Sequence, residues 1–280
     1  MWFAAQVYAG QLPSGVDDRL ALLQRLSRTL SDPARACEIA MLFQPQVSVQ
    51  TGRVDSVEAV LRWTDPDRGL VPTDELIKVA EPTGVMQQLT LHVLDRVVGQ
   101  LAEWNRAGIQ LRAAANVSVF DLTAEGFDAQ VRDVLERHQV TPQQLDLEVT
   151  ERAIIDDRPV LDEAAHRIAK LGVGLSLDDF GTGFSSLRRL RRLPLTEVKI
   201  DRAYVSKIAD SEPDQAIVGA IHGFAQALGL RTVAEGVEDE ETAGILATFD
   251  RVIAQGWHYA RPMPAAELTG WLRRRAGSSR

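Results

Sequence analysis

Short β-rich runs alternate with helical patterns along most of this chain, and that alternation restricts the fold to a few architectures. The runs fall near 39–49, 53–63, 111–118, 145–150, 173–178, 196–200, 230–234 and 251–255. Helical patterns lie near 17–30, 73–81, 85–107, 127–138, 159–171, 213–228, 239–248 and 264–275. Strands joined through helices run parallel, and about eight of them in roughly 240 residues favour a closed (β/α)8 barrel over an open doubly wound sheet. Only Gln50-Thr51-Gly52 separates the first two runs, which is a hairpin signal. No glycine-rich turn leads to Lys-Ser/Thr, and no G-x-G-x-x-G opens a helix, so both nucleotide-loop fingerprints are missing.

The first helical pattern carries Leu20, Leu23, Leu26 and Leu30 on one stripe, with Arg19, Arg25 and Arg28 off it, and Ser31-Asp32-Pro33 closes it. It admits two readings, a linker from an upstream domain or a helix capping the bottom of the barrel. Residues 1–36 are accordingly set apart as an N-terminal extension, and 37–280 as the barrel.

A net charge of −8 argues against a general nucleic-acid polymer or membrane surface, although metals or a few arginines can still bind a phosphate ester locally. The single cysteine, Cys37, excludes a disulfide framework and a cysteine-rich zinc site, and reads as a small buried residue. The opening residues do not form a signal peptide and no apolar run approaches a membrane span, so the expected location is cytoplasmic. Leu187-Arg188-Arg189-Leu190-Arg191-Arg192-Leu193 has the period of a helix with leucines inward and arginines solvated, which outweighs a nucleic-acid patch.

Chemistry concentrates where strands end. Leu175-Ser176-Leu177 runs into Asp178-Asp179, two adjacent acids followed by the sharp turn Gly181-Thr182-Gly183. Glu58, Asn116, Glu148, Glu151, Lys199, Asp201, Glu235, Glu238 and Gln255 lie at or near the other strand ends. A lone strand-end glutamate is commonly a helix cap or an arginine partner. Seven or more oxygen donors converging on one barrel mouth cannot all ionise without cations, and a metal is the least costly resolution. No cysteine or histidine joins them, so Mg²⁺ or Mn²⁺ fits better than Zn²⁺. Several acids around one lysine suit a pair of divalent ions working on a phosphodiester. Lys199 either orients an attacking water or neutralises surplus carboxylates structurally.

In order and spacing, Gln44-Pro45, Glu58-Ala59-Val60-Leu61-Arg62-Trp63, Asn116-Val117-Ser118, Glu148-Val149-Thr150-Glu151, Asp178-Asp179-Phe180-Gly181-Thr182-Gly183, Lys199-Ile200-Asp201, Ala234-Glu235-Gly236-Val237-Glu238, Gln255-Gly256-Trp257 and Arg261-Pro262 resemble the EAL-domain cyclic-di-GMP phosphodiesterases. The resemblance covers roughly residues 40–265. It implies an α/β, TIM-like (β/α)8 barrel with an atypical first strand, and hydrolysis of cyclic di-GMP to linear pGpG by two-metal, in-line attack of water. It implies Glu58, Asn116, Glu148 and Asp178 as ligands of a first Mg²⁺ or Mn²⁺. Asp178, Asp179 and Glu235 follow as ligands of a second, with Asp178 bridging, Lys199 and Glu235 catalytic, Lys199 as the water-orienting residue, and Ca²⁺ inhibitory. Gln44, Arg62, Asp201, Glu238, Gln255, Arg261 and Pro262 match substrate-binding or supporting positions, Arg62 as the phosphate contact. Glu151 matches the anchor of a regulatory loop over 179–186, including Phe180, Gly181, Thr182 and Gly183, that couples dimerisation to activity. A homodimer is implied, and Val7-Tyr8-Ala9 before the first helix resembles a joint to an upstream GGDEF or sensor domain.

Two departures carry expectations. The name motif reads Glu-Ala-Val, with Val60 expected to point away from the Glu58 face. Asp250-Arg251-Val252 replaces the usual Gly-Cys-Asp, and losing that glycine is expected to shift the start of the last strand, and Gln255 with it. The competing function is an EAL domain with weak or lost catalysis that serves as a cyclic-di-GMP receptor or protein-interaction module. Such a chain should lack a metal acid or the Gly-Thr-Gly turn, and this one keeps them all.

Overall fold

The turn at Gly52, whose φ of +68° suits glycine, starts the barrel. Across it β1 (Ile39–Ser48) and β2 (Val54–Asp65) pair antiparallel, and β3 (Gly69–Val71) folds back on the far end of β2. The computed structural model describes residues 16–81, 83–154, 159–183 and 187–278. Val7-Tyr8-Ala9 and the end of the 179–186 loop lie outside them.

After the hairpin come β4 (Arg112–Asn116), β5 (Leu145–Thr150), β6 (Gly174–Phe180), β7 (Glu197–Ile200), β8 (Arg231–Glu235) and β9 (Val252–Gln255). β4 pairs parallel with β2, and each later strand with its predecessor. β9 then pairs with β1 and closes the ring, leaving β1 antiparallel to both neighbours. The expected barrel with an atypical first strand is therefore present. β10 (Met263–Pro264) adds a short antiparallel pairing on β1.

The helices are α1 (Val16–Ser31), α2 (Thr73–Ala80), α3 (Val85–Arg106), α4 (Val119–Thr123), α5 (Phe127–His138), α6 (Pro159–Leu171), α7 (Leu187–Leu190), α8 (Arg202–Val205), α9 (Glu212–Ala227), α10 (Glu240–Leu246) and α11 (Ala265–Ser278). α3 shows why they form: Leu94, Val97, Val98, Leu101 and Trp104 recur at helical spacing and are all buried. Trp104 meets Phe43 of β1 edge-on, with ring centroids 5.0 Å apart, and donates its indole N–H to Thr269 Oγ1. α1 docks on the flank beside α2 and α3, burying Leu22 and Leu26, and Arg25 reaches buried Asp65 at 2.8 Å. Since Asp65 ends β2, this helix sits beside the mouth end, not beneath the barrel.

Strand pleating divides the interior into two chemistries. Leu147, Leu175, Leu177, Val198 and Ala254 face outward into the apolar layer under the helices. Each such leucine or valine contributes about 1.5–3 kcal/mol on burial. The inward positions are largely polar and stack in two levels. In the lower one, Arg231 Nη2 lies 3.2 Å from Asp146 Oδ2 and 3.1 Å from Glu197 Oε2, and Arg112 Nη2 lies 3.5 Å from Asp146. Ser176 donates to Glu197 Oε1 at 2.8 Å. The upper level is the barrel mouth.

Three expectations are corrected. Cys37 is exposed, because its short 3₁₀ segment, Pro33–Glu38, runs outside the barrel. Arg189 is buried and meets Asp162 of α6 at 3.3 Å, and Arg192 meets the same carboxylate at 3.0 Å, so these arginines hold α7 to α6. Val60 shares the Glu58 face, because positions two apart on an unbroken strand point the same way; Val57, Ala59 and Trp63 take the outer, apolar side.

Candidate metal centre

Strand ends bring four carboxylates onto one ammonium. Lys199 Nζ on β7 lies 2.7 Å from Glu235 Oε1 on β8 and 3.1 Å from Glu148 Oε1 on β5. Asp178 Oδ1 on β6 is at 3.3 Å and Glu58 Oε2 on β2 at 3.4 Å. Register accounts for the convergence: Glu58 sits opposite Gln44, Asn116 opposite Glu148, and Glu235 opposite Gln255.

Asp179 joins them through backbone geometry. Adjacent strand residues normally face opposite sides, but β6 loses its register between Leu177 and Phe180, and Asp179 has φ +55°. A non-glycine residue there costs about 1 kcal/mol, and aspartate is among the residues that tolerate it best. The result is that carboxylate oxygens of Asp178, Asp179 and Glu235 all lie within 4.8 Å of one another.

The electrostatics are those of a site short of positive charge. Burial raises the pKa of Glu148 and Glu235 well above the ordinary carboxylate value, opposed by Lys199 and reinforced by the neighbouring acids. Asp178 rises for the same reasons, and Asp179 is pushed up to about 6 by burial and by Asp178. Burial opposes the charge on Lys199, yet Asp178, Glu148, Glu235 and Glu58 outweigh it and hold the amine protonated. Fully ionised, Glu58, Glu148, Asp178, Asp179 and Glu235 around one lysine leave four negative charges unmatched, the number two divalent cations would offset.

A metal also fits the neutral donors. Asn116 Nδ2 donates to Glu58 Oε1 at 3.3 Å, which turns Asn116 Oδ1 away as a buried acceptor with no hydrogen-bond donor among the described residues. A buried acceptor of this kind costs about 1–3 kcal/mol unless a cation or water meets it. The donor set is all oxygen, as hard divalent ions require.

Gln255 Nε2 donates to Glu58 Oε2 and, at 3.1 Å, to Gln44 Oε1, while Gln44 Nε2 donates to Ala260 O. The expected displacement of Gln255 does not occur. Arg251 adopts the left-handed conformation itself, with φ +57°, and Val252 enters β9 in register with Thr232.

Glu151 sits directly after β5, and its Oε2 accepts the backbone N–H of Gly181 and of Gly183, each at 2.9 Å. Both glycines are required. A Cβ on Gly181 would lie 2.8 Å from the Tyr204 ring, and one on Gly183 would lie 2.9 Å from the Glu151 carboxyl carbon. Tyr204 donates its hydroxyl to Gly181 O, and Thr182 Oγ1 donates to the backbone carbonyl of Asp179, so the turn is tied to the main chain of a residue of the mouth. Phe180 is buried against Phe224, a fixed point from which the turn departs.

The remaining positions lie around this centre. Asp201 caps α8 through Ala203 N, and its proximity contributes to the raised pKa of Asp179. Arg62 is half-buried on the Glu58 face, four residues further along β2, and donates to Leu61 O. Glu238 pairs with Arg202 at 2.7 Å, not with the central acids. Arg261 stacks on Trp257 with its guanidinium carbon 4.1 Å from the ring centroid, and Pro262 leads into β10. Gly256 must be glycine, since a Cβ would lie 2.0 Å from Val237 O. Tyr204 and the inward pair Gln46 and Ser56 were not singled out from the sequence. Gln46 and Ser56 could have been, as polar residues at inward positions of otherwise apolar strands.

Fold and site together define an α/β barrel with an oxygen-lined, cation-seeking mouth. The chain belongs to the EAL domain family, which its residues 24–262 match. It is 37% identical over 234 residues to "Cyclic di-GMP phosphodiesterase PA2567" of Pseudomonas aeruginosa, covering 84% of this chain and 40% of that protein. It is 36% identical over 270 residues to "Cyclic di-GMP phosphodiesterase NbdA" of the same organism, covering 96% of this chain and 34% of that one. The chain thus spans well under half the length of these curated relatives. Among solved structures, "PaMucR Phosphodiesterase, c-di-GMP complex" superposes with a TM-score of 0.82 at 37% identity, covering 89% of this chain and 99% of that one.

Proposed function

We propose that this EAL domain hydrolyses cyclic di-GMP to linear pGpG, breaking one phosphodiester by in-line attack of water. The observation that carries the reading is the mouth itself, five carboxylates and one orphaned amide oxygen around a single buried ammonium. The phosphodiesterase names of the relatives and the cyclic-di-GMP complex of the PaMucR domain support the substrate.

In this reading Glu58, Asn116, Glu148 and Asp178 hold one divalent ion, and Asp178, Asp179 and Glu235 the other. Mg²⁺ or Mn²⁺ suits the donors, while Ca²⁺, larger and higher-coordinate, occupies the site without supporting turnover. When bound, such ions supply Lewis-acid activation of water and neutralise charge at the phosphoryl group. Lys199 stays protonated, so it acts as a hydrogen-bond donor to the attacking water and not as a base. Glu235, at 2.7 Å, fixes where that ammonium sits. Arg62 meets a phosphate oxygen at the rim, and Gln44, Gln255, Asp201, Glu238, Arg261 and Pro262 shape or support the substrate bed. The Glu151-anchored turn transmits the state of a homodimer to Asp179.

We assign residues 1–36 as an extension that joins the barrel to an upstream GGDEF or sensor domain, in the cytoplasm. Among the described residues no helix is long and apolar enough to cross a membrane. The test is turnover of cyclic di-GMP with Mn²⁺ beside Glu58→Ala. Formation of pGpG by the wild type alone supports the enzyme; cyclic-di-GMP binding without pGpG overturns it in favour of a receptor.

A further inference from the structure

We infer that Gln46 and Ser56 are positioning residues for Glu58, acting through the amide of Gln255; the metal-ligating role of Glu58 is taken from the function proposed above. The contacts form one directed chain inside the barrel. Ser56 Oγ donates to Gln46 Oε1 at 2.6 Å, Gln46 Nε2 donates to Gln255 Oε1 at 3.0 Å, and Gln255 Nε2 donates to Glu58 Oε2. All four side chains are buried, so water cannot substitute for a lost partner at low cost.

The polarity of this chain is set by chemistry. An ionised carboxylate only accepts, so Gln255 must turn its NH₂ end toward Glu58. Its oxygen then faces Gln46, which must answer with its own NH₂, leaving Gln46 Oε1 for the Ser56 hydroxyl. The second proton of Gln255 goes to Gln44 Oε1, and Gln44 turns its own NH₂ to Ala260 O, which again can only accept. Every amide therefore has one orientation that satisfies its neighbours.

The geometry places one Glu58 oxygen on Gln255 and the other on Asn116 Nδ2, so the carboxylate is held from two sides. Flipping Gln255 would set its carbonyl against Glu58 and push that carboxylate off its place. Gln46 Nε2 ties down the Gln255 oxygen in the orientation that Glu58 requires, so Gln255 can flip only if Gln46 flips with it. The Gln46–Ser56 pair thus braces the amide that holds a metal ligand in position, a role that partners of ligating carboxylates commonly play.

The test is calorimetric titration of Mn²⁺ into the full chain without substrate, for the wild type, Glu58→Ala, Gln46→Glu, Gln46→Met and Ser56→Ala, with thermal melts in metal-free buffer. Gln46→Glu keeps the shape but turns an acceptor toward Gln255 Oε1, and should weaken Mn²⁺ binding by about 10–100-fold. Gln46→Met should weaken it by about tenfold, and Ser56→Ala by less, in that order. A purely structural role would lower the melting temperature and leave Mn²⁺ affinity unchanged in the folded variants. Affinities within twofold of wild type for Gln46→Met and Ser56→Ala, both close in volume to the residues they replace, overturn the inference even where Gln46→Glu fails to fold. Because this readout needs no substrate, a wild type that binds Mn²⁺ but makes no pGpG refutes the proposed activity and leaves the positioning inference to the titration.

Discussion

Lys199 Nζ and Glu235 Oε1 stand 2.7 Å apart at the centre of the mouth, the lysine with no solvent exposure and the glutamate with some. The lysine is thus a permanent internal cation, placed where the carboxylates would otherwise repel one another. Replacing it by methionine keeps most of the volume and removes the charge. Removing one partner from a buried ionic cluster costs about 3–5 kcal/mol, so Lys199→Met should melt well below the wild type in metal-free buffer. Mn²⁺ should restore part of that loss, and kcat should stay down by about 100-fold or more with the donor gone. Melts with and without Mn²⁺, read beside turnover, check both parts; wild-type turnover would remove Lys199 from the mechanism.

Two residues earlier on β7, Glu197 gives a pH signature. Burial and the nearby Asp146 raise its carboxyl from 4.5 to about 7. Between those values the folded chain keeps a proton that the unfolded chain has released. Stability from this group is therefore present at low pH and falls as pH rises from 4.5 to 7, by about 3 kcal/mol at most. Glu197→Gln retains the Ser176 contact and cannot titrate, so its urea-denaturation free energy should fall less steeply across that window. Parallel slopes for the two proteins would refute the assignment.

Much of this was legible because barrels impose periodicity. Strand–helix alternation identifies the parallel strands, and the strand-end oxygens identify the mouth, since both are local patterns with period 2 or 3.6. What escaped depends on long-range geometry: Gln46 and Ser56 matter only because β1 and β9 meet on closure. Asp179 was named, but not the positive φ that carries it to the mouth. Val60 was misplaced by neglecting that alternate residues share a face, and Cys37 by relying on composition where the chain runs outside the barrel. Arg251 shows that a missing glycine need not move a strand when another residue takes up the positive φ.

Glu151 makes the next prediction. Its single oxygen holds the N–H groups of Gly181 and Gly183, and each charge-assisted bond is worth about 1.5–3 kcal/mol of local order. Glu151→Ala should leave the barrel folded and loosen the turn that Thr182 ties to Asp179. Amide exchange at Gly181 and Gly183 should accelerate, with turnover falling by about 10–100-fold as Asp179 loses its fixed place among the acids of the mouth. Unchanged exchange at both glycines would show that the turn is held by other contacts.

Arg62 separates binding from chemistry. It lies on the Glu58 face beyond the central acids, half-buried, with burial lowering its pKa from the ordinary value against the opposing pull of Glu58. None of the contacts to Lys199 runs through it. A guanidinium contributing charge-assisted bonds to the phosphate of cyclic di-GMP that is not cleaved, whose charge is the same in ground and transition states, gives uniform binding. Arg62→Ala should therefore raise KM for cyclic di-GMP by about tenfold or more while kcat and Mn²⁺ affinity stay near wild type. Arg62→Lys should recover only part of the loss, because an ammonium cannot reproduce the two-pronged contact. A fall in kcat with unchanged KM would instead place Arg62 in the transition state, against the role its position on β2 assigns.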